Sequence, residues 1–142
     1  NLNNVIFKDY QPRDFLYLSL GVADVHWVTL DPQMESFIVP SKVYGILAAA
    51  RPIIFIGDLD GEISQIISKI DCGKSINIGD SKNFVSTIRK FSKDKILVQE
   101  MGGRGRLEFD RKYDFSISAN KFSKLFNGLS LSESNKNNSN LN

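Results

Sequence analysis

The triplet Pro40-Ser41-Lys42 has the residue types and order best suited in this chain to holding an anion. A helix opening at Ser41 directs unpaired backbone N–H groups and the positive end of its dipole into the loop before it. The Ser41 hydroxyl and the Lys42 ammonium add charge-assisted donors, and together these groups suit a diphosphate. A plainer reading of the same residues makes Ser41 a helix cap and Lys42 a solvated surface cation. Asp58 and Asp60 invite a second chemistry, because paired carboxylates bind divalent cations. Asp60 ahead of Gly61-Glu62, however, reads as a helix N-cap with a first-turn acid, so no metal site is expected there. Tyr10 and Tyr44 are candidates to line a crevice, each with packing as the alternative. His26 lies within a strand pattern and reads as a structural histidine, not a base.

These residues are positioned by an alternation of short apolar runs and helical patterns. Val5 to Phe7 is a short strand candidate, and Pro12 sits where a helix can begin, with Phe15, Leu16 and Leu20 on one face. Val25 to Leu30 is a second strand. The helix from Ser41 repeats apolar residues at Val43, Ile46, Leu47 and Ala50, and Pro52 closes it. Ile53 to Ile56 is a continuous apolar run of the kind covered on both faces in a parallel sheet. Gly57 to Asp60 then turns the chain into a helix carrying Ile63, Ile66, Ile67 and Ile70, which Gly73 is expected to end. Lys74 to Ile78 suits a fourth strand. A further amphipathic helix starts near Ser81, with Phe84, Val85, Ile88 and Phe91, and two more helices follow Lys95. In MGGRGRLEFDRKYDF no strand precedes the glycines, so a helix weakened by Gly102, Gly103 and Gly105 is expected there, not a phosphate loop.

The order predicts an α/β fold, a Rossmann-like parallel sheet flanked by helices and followed by C-terminal helices. Ligands in such sheets bind beyond the carboxyl ends of the strands, where the loops after Phe7, Leu30 and Ile56 would meet the Ser41 helix. Residues 1–126 are read as one nucleotide-binding domain, incomplete on its N-terminal side. Residues 127–142 hold too little apolar material to offset the entropy of ordering and are expected to be disordered.

Composition excludes several classes. With 142 residues, 42% hydrophobic and 24% charged, the chain has the make-up of one globular domain. A net charge of +2 is too small to argue for nucleic acid, and Arg104, Arg106, Arg111 and Lys112 are interleaved with Glu108, Asp110 and Asp114 as on a solvated helix. One cysteine, Cys72, and one histidine leave neither an internal disulfide nor a zinc pattern and fit a cytoplasmic setting. The first residues, NLNNVIFKDYQ, have no signal-peptide pattern, and the first methionine is Met34, so the chain reads as a piece of something longer.

ADVHWVTL followed by PSKVYGILAAARPIIFIGDLDGE resembles the nucleotide-sugar half of retaining family 4 glycosyltransferases of the GT-B architecture, in particular bacterial polysaccharide-assembly enzymes of the colanic acid type. The resemblance continues in weaker form from Val5 to Leu125 through YQPRDF, DCG, GD and the MG-x-R-x-R element. It implies transfer of a hexosyl group from a nucleoside-diphosphate sugar to a saccharide or lipid-linked acceptor in surface polysaccharide biosynthesis. Ser41 and Lys42 would hold the donor diphosphate without a metal, and no cofactor beyond the sugar donor is implied. Tyr44, Gly45 and Asp58 would lie in the sugar and ribose region, and Tyr10 would contact the base. Gly45 stands where many family members have the ribose-binding glutamate, and Glu35 is the nearest candidate for the catalytic, sugar-contacting one. Relatives carry glycine at the position of Ala50. An N-terminal acceptor domain is missing here, and any contact with the inner face of the membrane would come through the missing parts. The chain alone is therefore expected to be inactive. An inactive remnant and a non-catalytic α/β nucleotide-binding or interaction module are the alternatives.

Overall fold

A computed structural model of the chain describes residues 3–35, 37–38 and 40–138. Its centre is a parallel three-stranded sheet in the order β1 (His26–Thr29), β2 (Ile53–Ile56), β3 (Gly73–Ile76). The register sets His26 beside Ile53 and Ile53 beside Gly73. Between the strands run α3 (Lys42–Ala48) and α4 (Glu62–Ile70), preceded by α1 (Leu16–Val22) and the short α2 (Pro32–Glu35). Then come α5 (Ser81–Lys93), α6 (Lys95–Lys112) and α7 (Phe115–Asn138).

The pattern of β2 explains its place. Ile53, Ile54 and Phe55 are all buried, which requires cover on both faces of the sheet. On one face Ile53 and Phe55 pack with Val28, Val43, Ile46, Leu47, Ile63 and Ile67 from β1, α3 and α4. On the other, Ile54 and Ile76 meet Phe91 of α5 and Val98 and Met101 of α6. The Rossmann-like α/β architecture expected from the alternation is thus present.

Several local expectations are corrected. Val5 to Phe7 forms no strand. These residues are exposed and take no regular secondary structure, because a strand needs a neighbour to pair its backbone and none of the described elements offers one. The α4 helix ends at Ile70, where Asp71 takes the left-handed conformation at φ 54°, and Gly73 instead opens β3. Glycine is needed there because a Cβ would fall 1.9 Å from the Ile53 carbonyl oxygen of the adjacent strand. Gly61, not Asp60, is the N-cap of α4. Asp58 makes the turn instead, accepting the Asp60 amide through Oδ1 at 3.0 Å while its carbonyl accepts the Ser64 hydroxyl at 2.6 Å. α7 runs from Phe115 through Asn138. No proline interrupts that segment, and a formed helix propagates one residue at a time at little cost. Its described side chains from Lys121 to Asn127 are exposed.

The MGGRGR element does not break α6. Gly102 lies against the Ala50 carbonyl, where a Cβ would come within 2.1 Å of the oxygen, and Gly105 lies against Leu47. The missing side chains let α6 approach the end of α3 closely. Arg106 then donates to the Ala48 carbonyl at 2.7 Å, and Arg104 Nε donates to the Asp71 carbonyl at 2.9 Å. Two arginines on one helix thereby satisfy carbonyls at the C-terminal ends of α3 and α4, where cations are also favoured by the helix dipole.

Candidate functional site

The candidate residues surround β1 and the start of α3. Ser41 precedes α3 with φ −55° and ψ −24°, and its side chain makes no capping hydrogen bond. Helical backbone angles at Ser41 displace its hydroxyl from the usual capping position, and the hydroxyl is left exposed. Lys42 is likewise exposed at the surface. Its side chain lines a cavity of about 350 Å³ together with Tyr10, Gln11, Arg13, Leu16, Ser19, Leu20 and His26. The structure thus brings Tyr10 and Lys42, far apart in sequence, to one cleft between the N-terminal segment, α1 and α3. It also adds Arg13, which periodicity did not single out. A cation shortly after Tyr10 and ahead of a helix was the available signal.

His26 forms the floor of this cleft. It is buried, and its Nε2 lies 2.8 Å from the Leu20 carbonyl. A carbonyl accepts, so Nε2 carries the proton. Burial pushes the imidazole pKa below its ordinary 6.5; the Leu20 hydrogen bond opposes this, while Lys42 and Arg51 add to it. The ring is therefore a neutral structural donor, as its strand position suggested.

The remaining candidates point elsewhere. Tyr44 is half-buried with its ring 4.9 Å from that of Tyr113, and burial, followed by the Tyr113 neighbour, raises its pKa. It joins α3 to the end of α6. Gly45 faces α1, where a Cβ would sit 3.0 Å from Leu20 Cδ1. Asp58 is exposed in the loop just beyond the carboxyl end of β2. Glu35 ends α2, in the connection between β1 and α3. Near the carboxyl ends of β2 and β3, a smaller cavity of about 200 Å³ is lined by Ile56, Asn77, Gly79, Asp80 and Ser81, with Trp27 and Phe84. The loop after β3 therefore joins this edge, a contribution the sequence pattern did not assign. Among the described residues, no group of three or more His, Cys, Asp or Glu side chains is arranged to hold a metal ion.

Cys72 is buried beneath Gly105, and burial pushes its thiol up to about 11. It is a packing residue.

A parallel three-stranded sheet with helices on both faces is a Rossmann-like α/β arrangement. The chain is 32% identical over 103 residues to the probable glycosyltransferase WbjE of Pseudomonas aeruginosa, a stretch covering 72% of this chain and 25% of that protein. The relationship is thus to a glycosyltransferase, and this chain spans about a quarter of that relative's length. No family model matches the chain, and no solved structure matches it. Among the described residues, no helix is long and apolar enough to cross a membrane.

Proposed function

We propose that this chain is the donor-binding part of a retaining GT-B glycosyltransferase of family 4 that uses a nucleoside-diphosphate sugar in surface polysaccharide biosynthesis. The observation that carries this reading is the similarity to the probable glycosyltransferase, which extends over most of the chain. The parallel sheet with its open carboxyl edge supports it, because nucleotides bind at such edges.

In this reading Lys42 and the backbone and hydroxyl of Ser41 hold the diphosphate. The chemical burden of glycosyl transfer is the negative charge gathered on the departing diphosphate, and fixed donors stabilise that charge as it develops. Tyr10, beside Lys42 in the same cleft, is the base contact. By the same resemblance Asp58, Tyr44 and Gly45 are assigned to the sugar and ribose region, and Glu35 is the candidate for the catalytic, sugar-contacting carboxylate. The acceptor, a saccharide or lipid-linked saccharide, is held by polypeptide beyond these residues. This chain alone therefore binds donor without turning it over.

The test is thermal unfolding with UDP, GDP and ADP, each at millimolar concentration. One nucleotide is expected to raise the midpoint by mass-action linkage, and Lys42→Ala is expected to abolish the rise while Lys82→Ala, on α5, leaves it. No rise with any nucleotide would overturn donor binding by this chain.

A further inference from the structure

We infer that the outward face of α5 is a binding surface for an anionic lipid bilayer, on which the chain rests through Lys82, Arg89 and Lys93. The helix buries Phe91 and half-buries Phe84 against β2, β3 and α6. About 180° round the helix from these rings, Lys82, Arg89 and Lys93 recur at i, i+7 and i+11, within about 40° of one another and over about 16 Å of its length. All three are exposed, and Lys90 beside Arg89 is a fourth exposed cation. The outer face of a helix anchored in the core is thus a row of positive charge.

This charge is segregated. α5 contains no Asp or Glu, and it carries four cations in a chain whose net charge is only +2, so the rest of the chain is net acidic. On α6 the arginines are paired, Arg104 with Asp71, Arg106 with Asp110 and Arg111 with Glu108. Among the described residues no cation of α5 forms an ion pair, and Lys82 acts on the Asp80 carboxylate only through space. Like charges at i and i+4, as Arg89 and Lys93 are, destabilise a helix, and Lys82 in the first turn opposes the dipole. The dipole accounts for Lys90 and Lys93 in the last turn, but for neither Lys82 nor Arg89. An anionic surface laid along the row offsets both costs.

The kind of anion follows from what lies beside the cations. Val85 is 43% exposed, and a depression of about 520 Å³ on this face is lined by Ser81, Lys82, Val85, Ser86 and Arg89. A lipid surface offers both counterparts, phosphate for the cations and upper acyl carbons for Val85 and for the aliphatic stems of the lysines and arginine. A nucleic acid calls for exposed rings among the cations, and both rings of α5 face the sheet. Each cation brought to an anionic leaflet strengthens binding about five-fold, so a row of three gives peripheral, reversible attachment.

The test is co-sedimentation of the full chain with phosphatidylcholine vesicles, with and without about 30 mol% phosphatidylglycerol. Binding to the anionic vesicles is expected to be at least about 10-fold tighter than to the neutral ones, and raising salt from about 0.05 to about 0.5 M should weaken it at least about 10-fold. Lys82→Ala/Arg89→Ala/Lys93→Ala is expected to reduce binding to the level of neutral vesicles. Lys121→Ala/Lys124→Ala, which removes two exposed cations of α7, should leave it within about two-fold. Lys82→Glu alone is the second variant, should the triple one disturb folding. No binding, equal binding to both kinds of vesicle, or undiminished binding by the α5 variants would overturn the proposal. So would a loss as large in the α7 pair, or tighter retention of a single-stranded oligonucleotide than of vesicles, which would make a nucleic acid the occupant.

Discussion

Gly102 on α6 rests on the carbonyl of Ala50, two residues beyond α3, so closely that a Cβ at position 102 would lie 2.1 Å from the Ala50 oxygen. Ala50 itself sits in the left-handed region at φ 55°. Its amide donates to Leu47 at 3.0 Å and the next amide, of Arg51, to Ile46 at 3.3 Å, the paired bonds of a Schellman cap. A strained helix end and a helix stripped of side chains thus meet at one point. The helix of the MGGRGR element is a clamp on the ends of α3 and α4.

The clamp predicts opposite signs for two adjacent glycines. Gly102→Ala must displace backbone, and such overpacking costs about 1–3 kcal/mol. Gly103→Ala meets nothing within 4 Å and gains helix propensity, a stabilisation of up to about 1 kcal/mol. Urea unfolding midpoints of the two variants should move apart on either side of the parent. A fall of similar size for both would remove the close contact as the explanation.

Ala50→Gly is expected to stabilise the fold. An L-residue in the left-handed region costs about 1–2 kcal/mol, while glycine adds freedom to the unfolded chain, so the net gain is about 1 kcal/mol. Denaturant titration with an unchanged slope and a higher midpoint is the expected result.

Stability should fall with acid in a window set by His26. Its folded pKa lies below 6.5, so as pH drops through 6.5 the unfolded chain takes up a proton that the folded chain refuses. The contribution is complete above about 6.5 and shrinks as pH falls toward the folded value. Asp80, Glu108 and Asp114, whose pKa values are also lowered, chiefly by their hydrogen bonds, lose their contributions at more acid pH. Unfolding free energies at pH 7.5 and 5.5 should therefore differ in the parent and converge in His26→Gln, which keeps a donor for the Leu20 carbonyl without titrating.

The Cys72 thiol should be silent in the folded protein. With the thiol up at about 11 and buried, the thiolate needed for attack is scarce and inaccessible near pH 8. An aromatic disulfide reagent should react at a rate set by unfolding and become fast in concentrated urea. Rapid labelling without denaturant would show that the region beneath α6 opens locally.

Much of this architecture was legible from residue types alone. Ile53 to Phe55 announced a strand covered on both faces, and the isoleucines from Ile63 to Ile70 a one-sided helix, because the burial period acts within a few residues. Illegible were features that depend on what approaches from elsewhere. Gly73 read as a helix stop until the Ile53 carbonyl was found in the place of its side chain. Asp60 read as a cap, whereas Gly61 caps α4 and Asp58 makes the turn by accepting the Asp60 amide. At the candidate site, spacing singled out Ser41 and Lys42 as candidates, but that Arg13 lines one cleft with Lys42 and Tyr10 is a matter of tertiary structure.

What the chain determines by itself is therefore the alternation of strands and helices and the buried stripes. These rest on local propensity and on the period of apolar side chains, both written along the chain. Only the tertiary structure decided that two glycines and two arginines of α6 would close the ends of α3 and α4, and that Trp27 would stand on an open edge. Those outcomes depend on distances between segments tens of residues apart, which sequence spacing does not set.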